Sequence, residues 1–434
     1  MKTLSTLWTP TTEDEEESVE TELKSFGSHL LICLKWIFLA FLMGGILGLI
    51  AAAFAISMSW VTDFRIANPL IILGLPVAGL FITFLYEKIG SDVMRGTNSV
   101  LACINSDDKV HFIMAPLIFV TSIISHAFGA SVGREGAALQ MGAGIGHSLG
   151  KLLKLDENDR KLLIMIGMAA AFSALFATPL AASIFAMEVI SIGVMYYVAL
   201  VPCLIASLTA FNLAKFLGVT YPSYADIIVP KFTPYTVSMA AVMAVIFAIF
   251  SIVICVVFAY TENGLEKWFK NPYIRVFVAG LFIILATYIV GNQDYNGLGT
   301  AIIIDAVSGK VIWYACLLKL IFTAVSLGGG YKGGEIVPTF YMGATLGCLL
   351  GLAFGLPAGF CAALGMIAVF CGVTNSPISS ILIGIELFGS EGLWFFCIVI
   401  ALSYMLSGYF SIHKNQIIIY SKYKTKFIHK KATR

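Results

Sequence analysis

The sequence predicts an all-α polytopic membrane protein made of two repeated halves of short, broken transmembrane helices. Three observations carry this reading. The 434-residue chain is 59% hydrophobic and 12% charged, too few charges to cover a water-facing surface. Its apolar runs recur from about residue 30 almost to residue 412, and at roughly 20 residues per crossing they provide on the order of ten or more helices. Two motifs also recur in the same order half a chain apart.

Along the chain, residues 1–28 form an acidic segment with Glu13, Asp14, Glu15, Glu16, Glu17, Glu20 and Glu22. A secretory signal starts basic, so this is none; a solvated surface helix is expected. Residues 29–214 make the first membrane repeat. Residues 215–235, less apolar and holding three prolines, make the linker, and residues 236–420 the second repeat. Residues 421–434 are a basic tail, read as too short to fold. Basic flanks stay on the cytoplasmic side, which places the C-terminus there, and the N-terminus is expected to share it.

The formal net charge of +2, with no basic face, excludes nucleic acid as a partner. Nine cysteines lie in or beside apolar stretches without CxxC spacing, which argues against a disulfide framework or zinc site. No cofactor motif is present, so neither cofactor nor metal is expected.

The repeat rests on spacing. Met141-Gly142-Ala143 is followed by Gly146, and Met342-Gly343-Ala344 by Gly347, an offset of 342 − 141 = 201. Pro179 precedes Glu188 by nine residues, as Pro377 precedes Glu386, an offset of 377 − 179 = 198. Duplicated membrane bundles place ion sites between their repeats. The 40 glycines and 13 prolines interrupt many runs, which implies helix ends inside the membrane, tolerated only where buried in protein or lining a cavity.

Chemistry concentrates in three stretches. In Ser131-Val132-Gly133-Arg134-Glu135-Gly136 a glycine-flanked carboxylate opens an apolar helix. Helix N-termini carry unpaired N–H groups and partial positive charge, so they hold anions. Glu135 can occupy such a site itself and leave when a proton neutralises it, which makes it a proton-operated plug. The plainer alternative is an N-terminal charge paired with Arg134. In Gly333-Gly334-Glu335-Ile336-Val337-Pro338 the glycines permit close backbone approach and the proline suits a first helical turn. Glu335 is either a second titrating acid or a capping charge, and Lys332 a loop cation. The third stretch, Gly96-Thr97-Asn98-Ser99, offers hydroxyl and amide donors but alone reads as an ordinary N-cap.

These stretches resemble the CLC family of chloride channels and proton-coupled anion transporters. Gly133-Arg134-Glu135-Gly136 is like the family's GREGP stretch with its gating glutamate, and residues 333–338 are similar to its G-x-F-x-P region. The resemblance spans roughly residues 30–420. The departures are informative: Gly96-Thr97-Asn98-Ser99-Val100 replaces G-S-G-I-P, Ala137 replaces proline, Glu335 and Ile336 replace a hydrophobic residue and phenylalanine, and Val189 stands where proton-coupled chloride members carry an inner glutamate. Together they resemble the fluoride–proton antiporter clade, whose first motif is G-x-N and whose second is G-G-E-x-x-P. Thr97 is a variant within that pattern.

The resemblance implies inverted repeats, a homodimer in a bacterial inner membrane, and a secondary active transporter exporting fluoride in exchange for protons. Glu135 would be the proton-accepting gate and Glu335 a second acidic residue. Gly96, Thr97, Asn98, Gly133, Arg134, Gly136, Gly334, Ile336 and Val337 would form the anion-binding positions. His413 and Tyr420, near the start of an expected last helix, are both candidates for the inner gate. A chloride transporter or passive anion channel is the alternative. A remote one is an intramembrane hydrolase, because Gly129-Ala130-Ser131-Val132-Gly133 matches G-x-S-x-G.

Overall fold

The computed structural model describes residues 12–89, 100–101, 111–224 and 227–433, with side chains from residue 26 onward. Helix α1 runs Thr12–Ala67, so the acidic segment and the first apolar run share one continuous helix. A 3₁₀ turn at Pro69–Gly74 leads to α2 (Leu75–Ile89). The first half continues through α3 (Met114–Ala127), α4 (Glu135–Leu152), α5 (Glu157–Phe176), α6 (Pro179–Glu188) and α7 (Leu200–Phe216). The second half holds α8 (Pro234–Trp268), α9 (Pro272–Val290), α10 (Thr300–Val307), α11 (Ala315–Gly329), α12 (Ile336–Phe354), α13 (Ala358–Thr374), α14 (Pro377–Phe388) and α15 (Leu393–Leu406).

Among the described residues, six helical stretches are long and apolar enough to cross a membrane, and six apolar helices have only 10–17 residues. At about 1.5 Å per residue, the 14 residues of α3 reach roughly 21 Å, short of the ~30 Å hydrocarbon layer. The short helices therefore end inside the bundle.

The repeated motifs mark helix crossings. A Cβ on Gly142 would lie 2.2 Å from the Gly167 carbonyl oxygen, and one on Gly146 would lie 2.4 Å from that of Leu163. In the second half the same holds for Gly343 against Gly365 (2.4 Å) and Gly347 against Cys361 (2.1 Å). Small residues let α4 press on α5 and α12 on α13 backbone to backbone, and α5 and α13 are buried along most of their lengths. Both helices end in a left-handed residue, Ala177 and Asn375, each with φ 58°, and α6 and α14 then start on Pro179 and Pro377. The proline's missing N–H costs nothing at a helix start.

The glutamates of the Pro-to-Glu spacing swap halves. Glu188, ending α6, accepts from Ile378 N (3.0 Å), Ser379 N (2.9 Å) and Ser379 Oγ (2.5 Å) at the start of α14. Glu386, in the last turn of α14, accepts from Leu180 N and Ala181 N, both at 2.9 Å, at the start of α6. A second exchange joins the segments before α4 and α12: Ser131 N donates to Ser326 Oγ (2.9 Å), and Lys332 N to Ser125 Oγ (3.1 Å). Interchanging partners across the halves is what a twofold relation between them requires.

After α15 the chain departs from expectation. Among the described residues no helix follows Leu406. Ile417–Tyr420 forms strand β2, parallel to a two-residue strand β1 (Ser191–Ile192) just after α6, and β3 (Phe427–Lys431) pairs antiparallel with β2. Three isoleucines and a tyrosine favour a pleated, half-buried strand. The tail, expected to be too short to fold, stays largely exposed but is ordered by pairing its strand with β2.

Candidate ion site between two helix N-termini

Gly133 and Gly334 stand back to back. Each donates its N–H to the other's carbonyl at 2.6 Å, forming an antiparallel bridge between the two halves. No larger residue fits: a Cβ on Gly334 would sit 2.5 Å from Gly136 N, and one on Gly133 would sit 2.7 Å from Glu135 Oε2. The bridge aims the starts of α4 and α12 at one point.

Glu135 is the first residue of α4, fully buried. Its Oε2 accepts from Arg134 N at 3.0 Å and from Val337 N, in the first turn of α12, at 3.4 Å. One carboxylate oxygen thus joins the N-terminal ends of helices from both halves, the position an anion would take. Arg134 Nε lies 3.5 Å from Glu135 Oε1, while its Nη2 donates to the Leu175 carbonyl at 3.0 Å. The plain charge pair with Arg134 and the seat on two helix N-termini therefore coexist, with the shorter contacts on the backbone side.

Gly136 and Ile336 are buried in the first turns of α4 and α12, and Glu335, half-buried, is the N-cap residue of α12. A cavity of about 270 Å³ opens onto this centre, walled by Arg134, Val337, Tyr221, Tyr224 and Glu386 among others. Arg134 and Val337, whose N–H groups hold Glu135, thus share a wall with Glu386, one of the swapped caps. Lys332 sits over the Tyr86 ring, 4.4 Å from its centroid. Gly96, Thr97 and Asn98 lie outside the described residues.

His413 is buried and Tyr420 half-exposed, the latter on β2 with its ring 5.8 Å from that of Phe427. Neither begins a helix, correcting the expected placement. Sequence reasoning passed over Gln416, which is fully buried. Its Nε2 donates to Val189 O (3.0 Å) and Thr374 O (2.8 Å), and its Oε1 accepts from Asn375 Nδ2 (3.1 Å). One amide ties the ends of α6 and α13 to the C-terminal segment. Only its position in an Asn-Gln pair before an apolar run set it apart.

Ser131 is buried, with its hydroxyl 3.0 Å from that of Thr323 in α11. Neither ring nitrogen of His126 has a hydrogen-bond partner, so Ser131 is not hydrogen-bonded to that base as a serine nucleophile requires.

Comparison with known proteins bears on this arrangement. A family model described as voltage gated chloride channel matches residues 78–408. A chloride/fluoride channel protein of Pseudomonas syringae pv. tomato is 36% identical over 403 residues, covering 90% of this chain and 88% of the relative. An H(+)/Cl(−) exchange transporter of Vibrio vulnificus is 25% identical over 409 residues, covering 84% of each. The crystal structure of a CLC-type fluoride/proton antiporter superposes with a TM-score of 0.86 at 33% identity, over 89% of this chain and 98% of that one.

Proposed function

Because this chain belongs to the voltage-gated chloride channel family, the CLC proteins, we propose that it is a secondary active transporter exporting fluoride in exchange for protons. The observation that carries the reading is the seat of Glu135, whose Oε2 holds N–H groups of both halves. An anion and this carboxylate compete for the same donors. Protonation removes the negative charge, weakens both bonds and frees the seat; the departing anion lets the carboxylate return. Each exchange then couples one proton-dependent step to one anion step.

Fluoride holds its water tightly, so its replacement shell must be dense in donors. Arg134 N and Val337 N supply two, and Thr97 and Asn98 are proposed to add side-chain donors. Val189 offers no carboxylate at the inner position, so protons are assigned to Glu135, with Glu335 accepting or organising the proton from the other helix start. His413 and Tyr420 remain the inner-gate candidates. The protein is proposed to work as a homodimer in a bacterial inner membrane, with one pathway per subunit and both termini cytoplasmic; the basic tail supports that orientation.

The test is ion efflux from liposomes holding the purified protein, with fluoride and chloride compared while lumen pH is recorded. Fluoride leaving faster than chloride, with matched proton uptake, is expected. Chloride moving as fast as fluoride would point to a general anion route through Thr97, and fluoride flow without protons to a channel; either contradicts the proposal.

A further inference from the structure

A second cavity, of about 750 Å³, lies where the end of α1 meets the turn between α9 and α10. Arg65, in the last turn of α1, forms part of its wall and is 5% exposed. Its Nε and Nη1 meet no acceptor, and among the described residues it joins no ion pair. Arginine keeps its charge, and a buried charge without a partner is strongly unfavourable. The fold nevertheless makes room for it: a Cβ on Gly297, whose φ is +57°, would lie 2.9 Å from Arg65 Nη2.

A second basic side chain is held nearby by backbone carbonyls. Lys319, fully buried and within the field of Arg65, donates to the carbonyls of Tyr295 (3.2 Å) and Gly297 (2.7 Å). Asn296 Nδ2 donates to the Gly129 carbonyl at 2.8 Å. These bonds fix the turn that forms the wall, so the turn is not free to fold over the guanidinium. Asp294 is the carboxylate on that wall.

At the rim, Ile66 and Tyr288 are 65% and 83% exposed on helices apolar enough to span a membrane. Apolar surface dominates the cavity and its rim, while the polar side chains near Arg65 (Asn292, Gln293, Asp294 and Asn296) come from the turn between α9 and α10. Its volume far exceeds a halide ion. We propose that it is a phospholipid site in which a headgroup phosphate ester pairs with Arg65 and the acyl chains pass Ile66 and Tyr288. The planar guanidinium matches phosphate oxygens. Asp294 suits the ammonium of an ethanolamine headgroup and disfavours a free phosphate dianion. Leu298 and Thr300 line both this cavity and the smaller one beside Arg134, so a bound headgroup braces a wall of the ion pathway. The inference does not depend on which ion is moved.

The test uses the purified full chain, delipidated in detergent micelles. It is titrated with short-chain phosphatidylethanolamine or with inorganic phosphate, and read by thermal unfolding and by native mass spectrometry. The lipid is expected to raise the unfolding midpoint and stay bound, while phosphate at the same concentration does neither. In Arg65→Gln the lipid effect weakens at least tenfold, and the lipid-free midpoint equals or exceeds that of wild type because the unpaired charge is gone. A merely structural arginine would lower that midpoint. Lipid binding unchanged in Arg65→Gln overturns the site, and phosphate acting as well as lipid overturns the lipid assignment. Should Arg65→Gln not fold, Ala301→Trp fills the cavity from an exposed wall position. It is expected to abolish lipid binding; retained binding overturns the proposal.

Discussion

Replacing Glu188 with alanine strips the start of α14 of its cap. Two backbone N–H groups and one hydroxyl lose a charged acceptor held at 2.5–3.0 Å. Each hydrogen bond to a charged group contributes about 1.5–3 kcal/mol, and a donor left buried adds its desolvation cost. Three such bonds sharing one carboxylate are not additive, so the expected loss is roughly 4–6 kcal/mol. Glu188→Gln keeps one oxygen and turns an NH₂ toward the remaining donors, which halves the loss to about 2–3 kcal/mol. Glu386→Ala removes two bonds at the more exposed start of α6, where Leu180 is 45% exposed, and the expected loss is smaller. Because both caps sit on one α6–α14 contact, the double variant should fall short of the sum. The assay is equilibrium unfolding in mixed micelles with rising dodecyl sulfate, followed by tryptophan fluorescence. Glu188→Ala unfolding within about 0.5 kcal/mol of wild type would refute the swapped-cap reasoning.

Two further outcomes follow from other contacts. Gly334→Ala drives a methyl to 2.5 Å from Gly136 N, and backbone cannot yield as a side chain can; proton-coupled efflux should fall at least tenfold while the protein remains membrane-inserted. In the C-terminal tail, Lys422 donates to Asn375 Oδ1 at 2.5 Å and to the Tyr404 carbonyl at 2.9 Å, and burial pushes its ammonium down to about 8. Folded Lys422 then binds fewer protons than unfolded Lys422 between about pH 8 and the ordinary lysine range. This contribution is present above that range and lost as pH falls toward 8. The stability difference between wild type and Lys422→Met should therefore grow with pH across that window in the same unfolding assay.

What the sequence discloses here is local, and what it conceals is partnership. Glycine-flanked glutamates and proline-started helices each compress a helix start into a few consecutive residues, so residues 131–142 and 326–338 stand out without a structure. The 201- and 198-residue offsets mark a repeat, but no spacing says that Glu188 caps a helix 190 residues away or that Ser125 and Ser326 exchange backbone partners. Those contacts exist only after two halves meet. The expected last helix is absent because hydropathy does not separate Ile417–Tyr420 as a strand from a short helix; its strand partner, Ser191–Ile192, lies more than 200 residues earlier. Arg65 is equally inconspicuous in the sequence, since one cation near the end of a 56-residue, largely apolar helix barely changes its hydropathy.

The central claim is that anion and carboxylate contend for the donors on Arg134 and Val337. Fluoride titration by calorimetry, on purified protein in weakly buffered micelles at several pH values, tests it most directly. The account predicts about one proton taken up per fluoride bound, with affinity rising about tenfold per unit fall in pH while Glu135 is ionised. In Glu135→Gln, fluoride should bind with no proton uptake and no pH dependence. Wild-type affinity indifferent to pH, or proton uptake persisting in Glu135→Gln, would contradict it.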